Sequence, residues 1–107
     1  MYEERKKIYD SIVATSNKFE RKGKTMPYTS ANGHMFSQLN KDGEIGIRLS
    51  KESQKAFMEK YNATEFRSYG AVMRGYVQVP AELLSNMKLM AELIDEGYEY
   101  VMSLPAK

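Results

Sequence analysis

The spacing of apolar positions changes several times along the chain. Between residues 2 and 17, Ile8, Tyr9, Ile12 and Val13 recur at helical spacing on one face. Glu3 stands four residues before Lys7, a favourable helical pair. A first helix is predicted to end near Asn17, before Gly23. From residue 24 the period shortens to two. Asn32-Gly33 suits the positive φ angles of a tight hairpin turn, and Lys41-Asp42-Gly43 marks a second turn. These turns predict a three-strand meander: Thr25–Ser30, His34–Leu39 and Glu44–Leu49. In the third strand Ile45, Ile47 and Leu49 face one way, while Glu44, Gly46 and Arg48 face the other. One side of the sheet is expected to be packed, and the other wet or covered by a partner. Pro27 cannot donate a ladder hydrogen bond, so the first strand is expected at an edge or with a bulge.

Ser50 is placed to cap a helix over 51–61, with Phe57, Met58 and Tyr61 as its apolar side and Asn62-Ala63 as its break. A less regular stretch with Gly70 and Gly75 follows. Tyr76–Val79 reads as a short strand with Val77 and Val79 inward, and Thr64–Arg67 as a further strand. After Pro80 a turn of helix is predicted at 81–84. A long helix follows at about 86–103, with Ser85 between them and Pro105 beyond the end. The stripe of Leu83, Met87, Met90, Ile94, Gly97/Tyr98 and Val101 that runs through both is the strongest periodic signal in the chain. The expected fold class is α+β: a two-layer domain whose N-terminal, middle and long C-terminal helices pack on one face of an antiparallel meander.

With 107 residues, one domain over 1–107 is expected. The absence of cysteine excludes a disulfide framework, a thiolate zinc site and a cysteine nucleophile. No apolar run is long enough to span a bilayer, and Met1–Lys7 is charged rather than signal-like, so a cytoplasmic location is expected. Formal net charge is +2 but uneven: from residue 80 onward five acids face two bases, leaving net +5 on the first 79 residues. Lys18, Arg21, Lys22 and Lys24 form a basic cluster that suits a phosphate backbone, although such a run is more often a solvated loop.

Candidate chemistry is sparse. His34 is the only histidine, so a metal site would have to be completed by carboxylates alone. Ser30, Ser37 and Ser50 lack the Gly-x-Ser-x-Gly setting of an activated nucleophile. Neither a metal nor another cofactor is expected, and no catalytic residue is assigned. Eight methionines and eight tyrosines are an enrichment suited to cores and to interfaces. Tyr28, His34, Glu44, Arg48 and Tyr76 are the candidate interaction surface on the non-core side of the sheet.

The segments "NGHMF", "IGIRLS", "YVQVPAELL" and "YEYVMSLPAK", in this order and spacing, resemble the N-terminal domain of the bacterial TfoX/Sxy competence regulators. The resemblance runs over about residues 5–107. It implies a two-layer domain with an antiparallel sheet and a regulatory or interaction role rather than a reaction. Two departures stand out. The family often has Met-Phe-Gly-Gly after a lysine near the first strand, where this chain has Lys24-Thr25-Met26-Pro27-Tyr28-Thr29. The full-length regulators also carry a C-terminal domain of DNA-binding-like character with no counterpart in these 107 residues. A competence role is therefore not carried over. The expectation is a non-enzymatic regulatory domain that meets a protein partner, a small ligand or a second copy of itself. Nucleic acid bound by the basic cluster is the lower-ranked alternative.

Overall fold

The computed structural model describes residues 2–107. Three helices, α1 (Tyr2–Val13), α2 (Lys51–Tyr61) and α3 (Met87–Met102), accompany five strands: β1 (Tyr28–Ala31), β2 (His34–Leu39), β3 (Ile45–Arg48), β4 (Glu65–Ser68) and β5 (Ala71–Gln78). All strand pairings are antiparallel, in the order β1-β2-β3-β5-β4. The fold is α+β. Tyr9 and Ile12 of α1, Phe57 of α2, and Met90, Leu93, Ile94 and Val101 of α3 share one core with Phe36, Leu39, Ile45, Ile47 and Val77 of the sheet.

α1 ends at Val13, four residues before the predicted end. Local hydroxyls explain the stop: Thr15 Oγ1 donates to the Ile12 carbonyl at 2.6 Å, and Ser16 Oγ accepts from the Lys18 amide at 3.0 Å. Such bonds offer the backbone an alternative to the next helical turn. The chain then drops Phe19 into the core, edge-on to Phe36 at 5.0 Å between ring centroids.

β1 is an edge strand and begins only after Pro27. Its pairing with β2 slips: Thr29 faces Ser37 while Ser30 faces Met35, which leaves Phe36 unpaired. The extra residue turns both Phe36 and Ser37 toward the helices. Phe36 meets Phe19 and Tyr98, and Ser37 bonds Tyr9 at 2.6 Å. α3 crosses this region at Gly97, where a Cβ would lie 2.9 Å from the Arg48 carbonyl oxygen and 3.1 Å from Ile47 Cγ2. Ser50 caps α2 by accepting from the Ser53 amide, and Asn62 closes it in the left-handed conformation (φ 53°).

The far face of the sheet is not left wet. β5 reaches back to Ala71, well before the predicted Tyr76. Gly75 (φ 91°) and a register shift between Glu65 and Arg67 bend the β4–β5 hairpin. Phe66 of β4 then lies over β3 so closely that a Cβ on Gly46 would sit 2.3 Å from its ring. Phe66 and Tyr76, with ring centroids 6.3 Å apart, are buried on this face.

Candidate functional site

The first hairpin turn is tied to the end of α3. Asn32 Nδ2 donates to the carbonyls of Val101 (3.0 Å) and Leu104 (2.8 Å), and the Lys107 amide donates back to the Asn32 carbonyl at 3.2 Å. His34 Nε2 lies 2.9 Å from the Pro105 carbonyl oxygen. A carbonyl can only accept, so Nε2 carries a proton. The two segments "NGH" and "SLPAK" thus form one clasp, and His34 is part of it.

Ser37 is fully buried between Tyr9 and Thr29. Burial pushes the Tyr9 phenol far above its ordinary range. His34 and Ser37 are engaged separately and do not meet. Tyr76, expected at an exposed surface, is buried instead: its hydroxyl donates to the Met35 carbonyl at 2.7 Å, and burial pushes its pKa up to about 12. The bent β4–β5 hairpin is the physical reason. Glu44 is held on both oxygens, by Asn40 Nδ2 at 3.0 Å and Gln78 Nε2 at 3.1 Å. Arg48 lies over the Tyr100 ring at 5.6 Å. Tyr28 exchanges two backbone bonds with Lys22, at 2.8 and 2.9 Å, which covers the start of the β1 edge. His34 and Glu44 stand at opposite ends of the β2–β3 pair, about 20 Å apart by strand rise. The five residues of the expected surface therefore do not form one patch.

The basic cluster is partly neutralised. Lys18 Nζ donates to Asp95 (3.1 Å) and Glu99 (3.5 Å), and the Asp95 hydrogen bond raises its pKa. Arg21 bonds Asp10 at 3.0 Å and the Gly23 carbonyl at 2.7 Å. Lys22 Nζ donates to Ser30 Oγ at 3.3 Å, and Lys24 is exposed.

Sequence reasoning passed over the place where two turns meet. Asn40, 3% exposed, accepts at Oδ1 from the amides of Asp42 (3.0 Å) and Glu44 (2.9 Å). Its Nδ2 donates to the Arg67 carbonyl at 2.8 Å as well as to Glu44. This side chain staples the β4 edge to the β2–β3 turn. Between the turns lies a 210 Å³ cleft lined by Asn40, Lys41, Asp42, Glu44 and Arg67–Gly70. Tyr69, at its rim, is 71% exposed. The signal in the sequence was Gly70, one of the glycines of the less regular stretch, three residues after the Thr64–Arg67 strand. A second cavity, of 230 Å³, separates α2 from α3 and is walled by Leu49, Phe57, Leu89 and Leu93.

Among the described residues no group of three or more His, Asp or Glu is placed to hold a metal ion, and no helix is long and apolar enough to cross a membrane. No protein-family model, curated protein or solved structure matches the chain.

Proposed function

We propose that this chain is a non-enzymatic regulatory or protein-interaction domain of the TfoX N-terminal type. One observation carries the reading. Two of the segments that carry the resemblance, "NGHMF" and "YEYVMSLPAK", meet in space as the clasp between the first hairpin and the end of α3. The clasp occupies His34 with a structural duty, and Ser37 is likewise engaged in the core. Such polar groups act as fasteners rather than reagents, which favours a role in binding. Tyr28 and Arg48, each half-buried, are the expected surface residues left accessible to a partner.

Affinity capture with the purified chain, run beside a thermal-shift screen of small metabolites, tests the reading. A saturable partner or ligand whose retention falls with Tyr28→Ala or Arg48→Ala is the expected result. Failure of both assays to find anything specific would count against it. The alternative of a nucleic-acid site at Lys18–Lys24 loses support from the ion pairs of Lys18 and Arg21.

A further inference from the structure

The two tight turns of the sheet share one backbone shape but not one chemistry. Asn32 (φ 56°) and Gly33 (φ 81°) make the first; Tyr69 (φ 55°) and Gly70 (φ 75°) make the other. In each, the flanking residues pair directly, Ala31 with His34 and Ser68 with Ala71. Two consecutive positive φ angles define the type I′ hairpin turn, for which Asn-Gly is the favoured pair. Any Cβ crowds the following carbonyl in this left-handed conformation; asparagine offsets the cost with its short polar side chain, and tyrosine does not. Burial does not compensate: at 71%, Tyr69 is the most exposed of the large apolar side chains among the described residues. The hairpin thus holds an aromatic ring in solvent at a position where asparagine would serve the backbone better. Strain kept at an exposed site is a mark of function.

The surroundings of the ring indicate what it meets. Lys41 and Arg67 line the cleft beside it. Arg67 pairs across the hairpin with Val72, itself 37% exposed, and Arg74 lies further along β5, also exposed. Ser68 Oγ lies 3.9 Å from Met26 Sδ, so the segment carrying Lys22 and Lys24 flanks the hairpin. Among the described residues none of Lys24, Lys41, Arg67 and Arg74 is ion-paired. The acids nearby are Asp42 in the cleft, Glu65 on β4, and Glu44, which is held by two amides. The setting is therefore a lone exposed ring among cations, with the polar walls of Asn40 and Ser68 below. A protein hot spot, though also rich in Tyr and Arg, centres on a well-packed pocket that excludes water; this ring stands in solvent. An aromatic platform with guanidinium and ammonium groups beside it fits an unstacked base and its phosphates.

We propose that the cleft between the β2–β3 and β4–β5 turns binds a single strand of nucleic acid, with one base stacked on Tyr69 and the neighbouring phosphates against Arg67 and Lys41. This goes beyond the regulatory reading and stands on the cleft between the two turns, not on the clasp. A duplex keeps its bases stacked and offers the ring nothing, so preference for a single strand is part of the proposal.

Fluorescence anisotropy of the full chain with a labelled oligothymidylate, beside a duplex of equal length, is the test. The single strand binds better, and its affinity falls as salt rises. Tyr69→Asn weakens binding about tenfold while raising the melting temperature, because asparagine suits the turn. This separates lost recognition from lost folding. Tyr69→Phe keeps the affinity, Arg67→Gln lowers it, and Asp42→Asn raises it by removing a like charge from the phosphate path. Undetectable binding of the oligonucleotide, the outcome if Tyr69 serves a protein partner, overturns the proposal. So does a Tyr69→Asn variant that binds as tightly as the wild type.

Discussion

Asn40 holds two turns at once, and each of its polar atoms is used twice. Asn40→Ala leaves two turn amides and the Arg67 carbonyl without partners. It should cost about 2–3 kcal/mol. Urea unfolding would read this as a lower midpoint with an unchanged slope. The sequence showed Asn40 only as the residue before a Lys-Asp-Gly turn. Its reach to β4 depends on a strand 27 positions later in the chain, which no local pattern encodes. Tyr76 went astray for the same reason. Its alternation with Val77 marks it as facing away from the main core, and it does, but β4 covers that face. By contrast Ile45, Ile47 and Leu49 needed only their own alternation to be placed, and all three are buried.

At the scale of elements, Gly46 and Phe66 are complementary halves of one contact. Gly46→Ala places a methyl group where the Phe66 ring lies, and should cost about 2–3 kcal/mol. Phe66→Ala alone should cost about 3–5 kcal/mol. The double variant should be more stable than the sum of the two predicts, because the new methyl enters the emptied space. A double-mutant cycle by chemical denaturation measures that coupling; strict additivity would mean that β4 does not rest on β3. The ends of α2 were legible because Ser50 and Asn62 are local signals. The length of β5 was not, since Gly75 interrupts its alternation and hides the strand before it. The clasp was legible only as two separate motifs. Asn32→Ala should cost about 1–2 kcal/mol through the lost bonds to Val101 and Leu104, with faster amide exchange at the end of α3.

Across the whole molecule, the buried phenols set an alkaline limit. Burial raises the pKa of both Tyr9 and Tyr76 above the unfolded value near 10. Their contribution to stability is complete below that value and is lost as pH rises toward the folded ones. A circular-dichroism titration should therefore show unfolding setting in above pH about 10. Tyr9→Phe, which has no proton to lose, should flatten the slope of stability against pH in that range. The helix layer was readable because α3 carries its own periodicity. The cleft between the turns was not, because it forms only when a bent hairpin returns across the sheet.

The α3 cover also bears on the order in which the chain is made. The β1–β3 meander is complete by Arg48, yet the helix that shields Phe36 and Ile47 begins only at Met87. During synthesis the meander must wait with its apolar side covered only by α1 and Phe19 for about 2–8 seconds at typical elongation rates of ~5–20 residues per second. The clasp to Asn32 comes later still, once Val101–Lys107 has cleared the ribosome. A slow codon run placed between these two points is therefore expected to raise aggregation without changing a single residue, which the soluble fraction on expression measures.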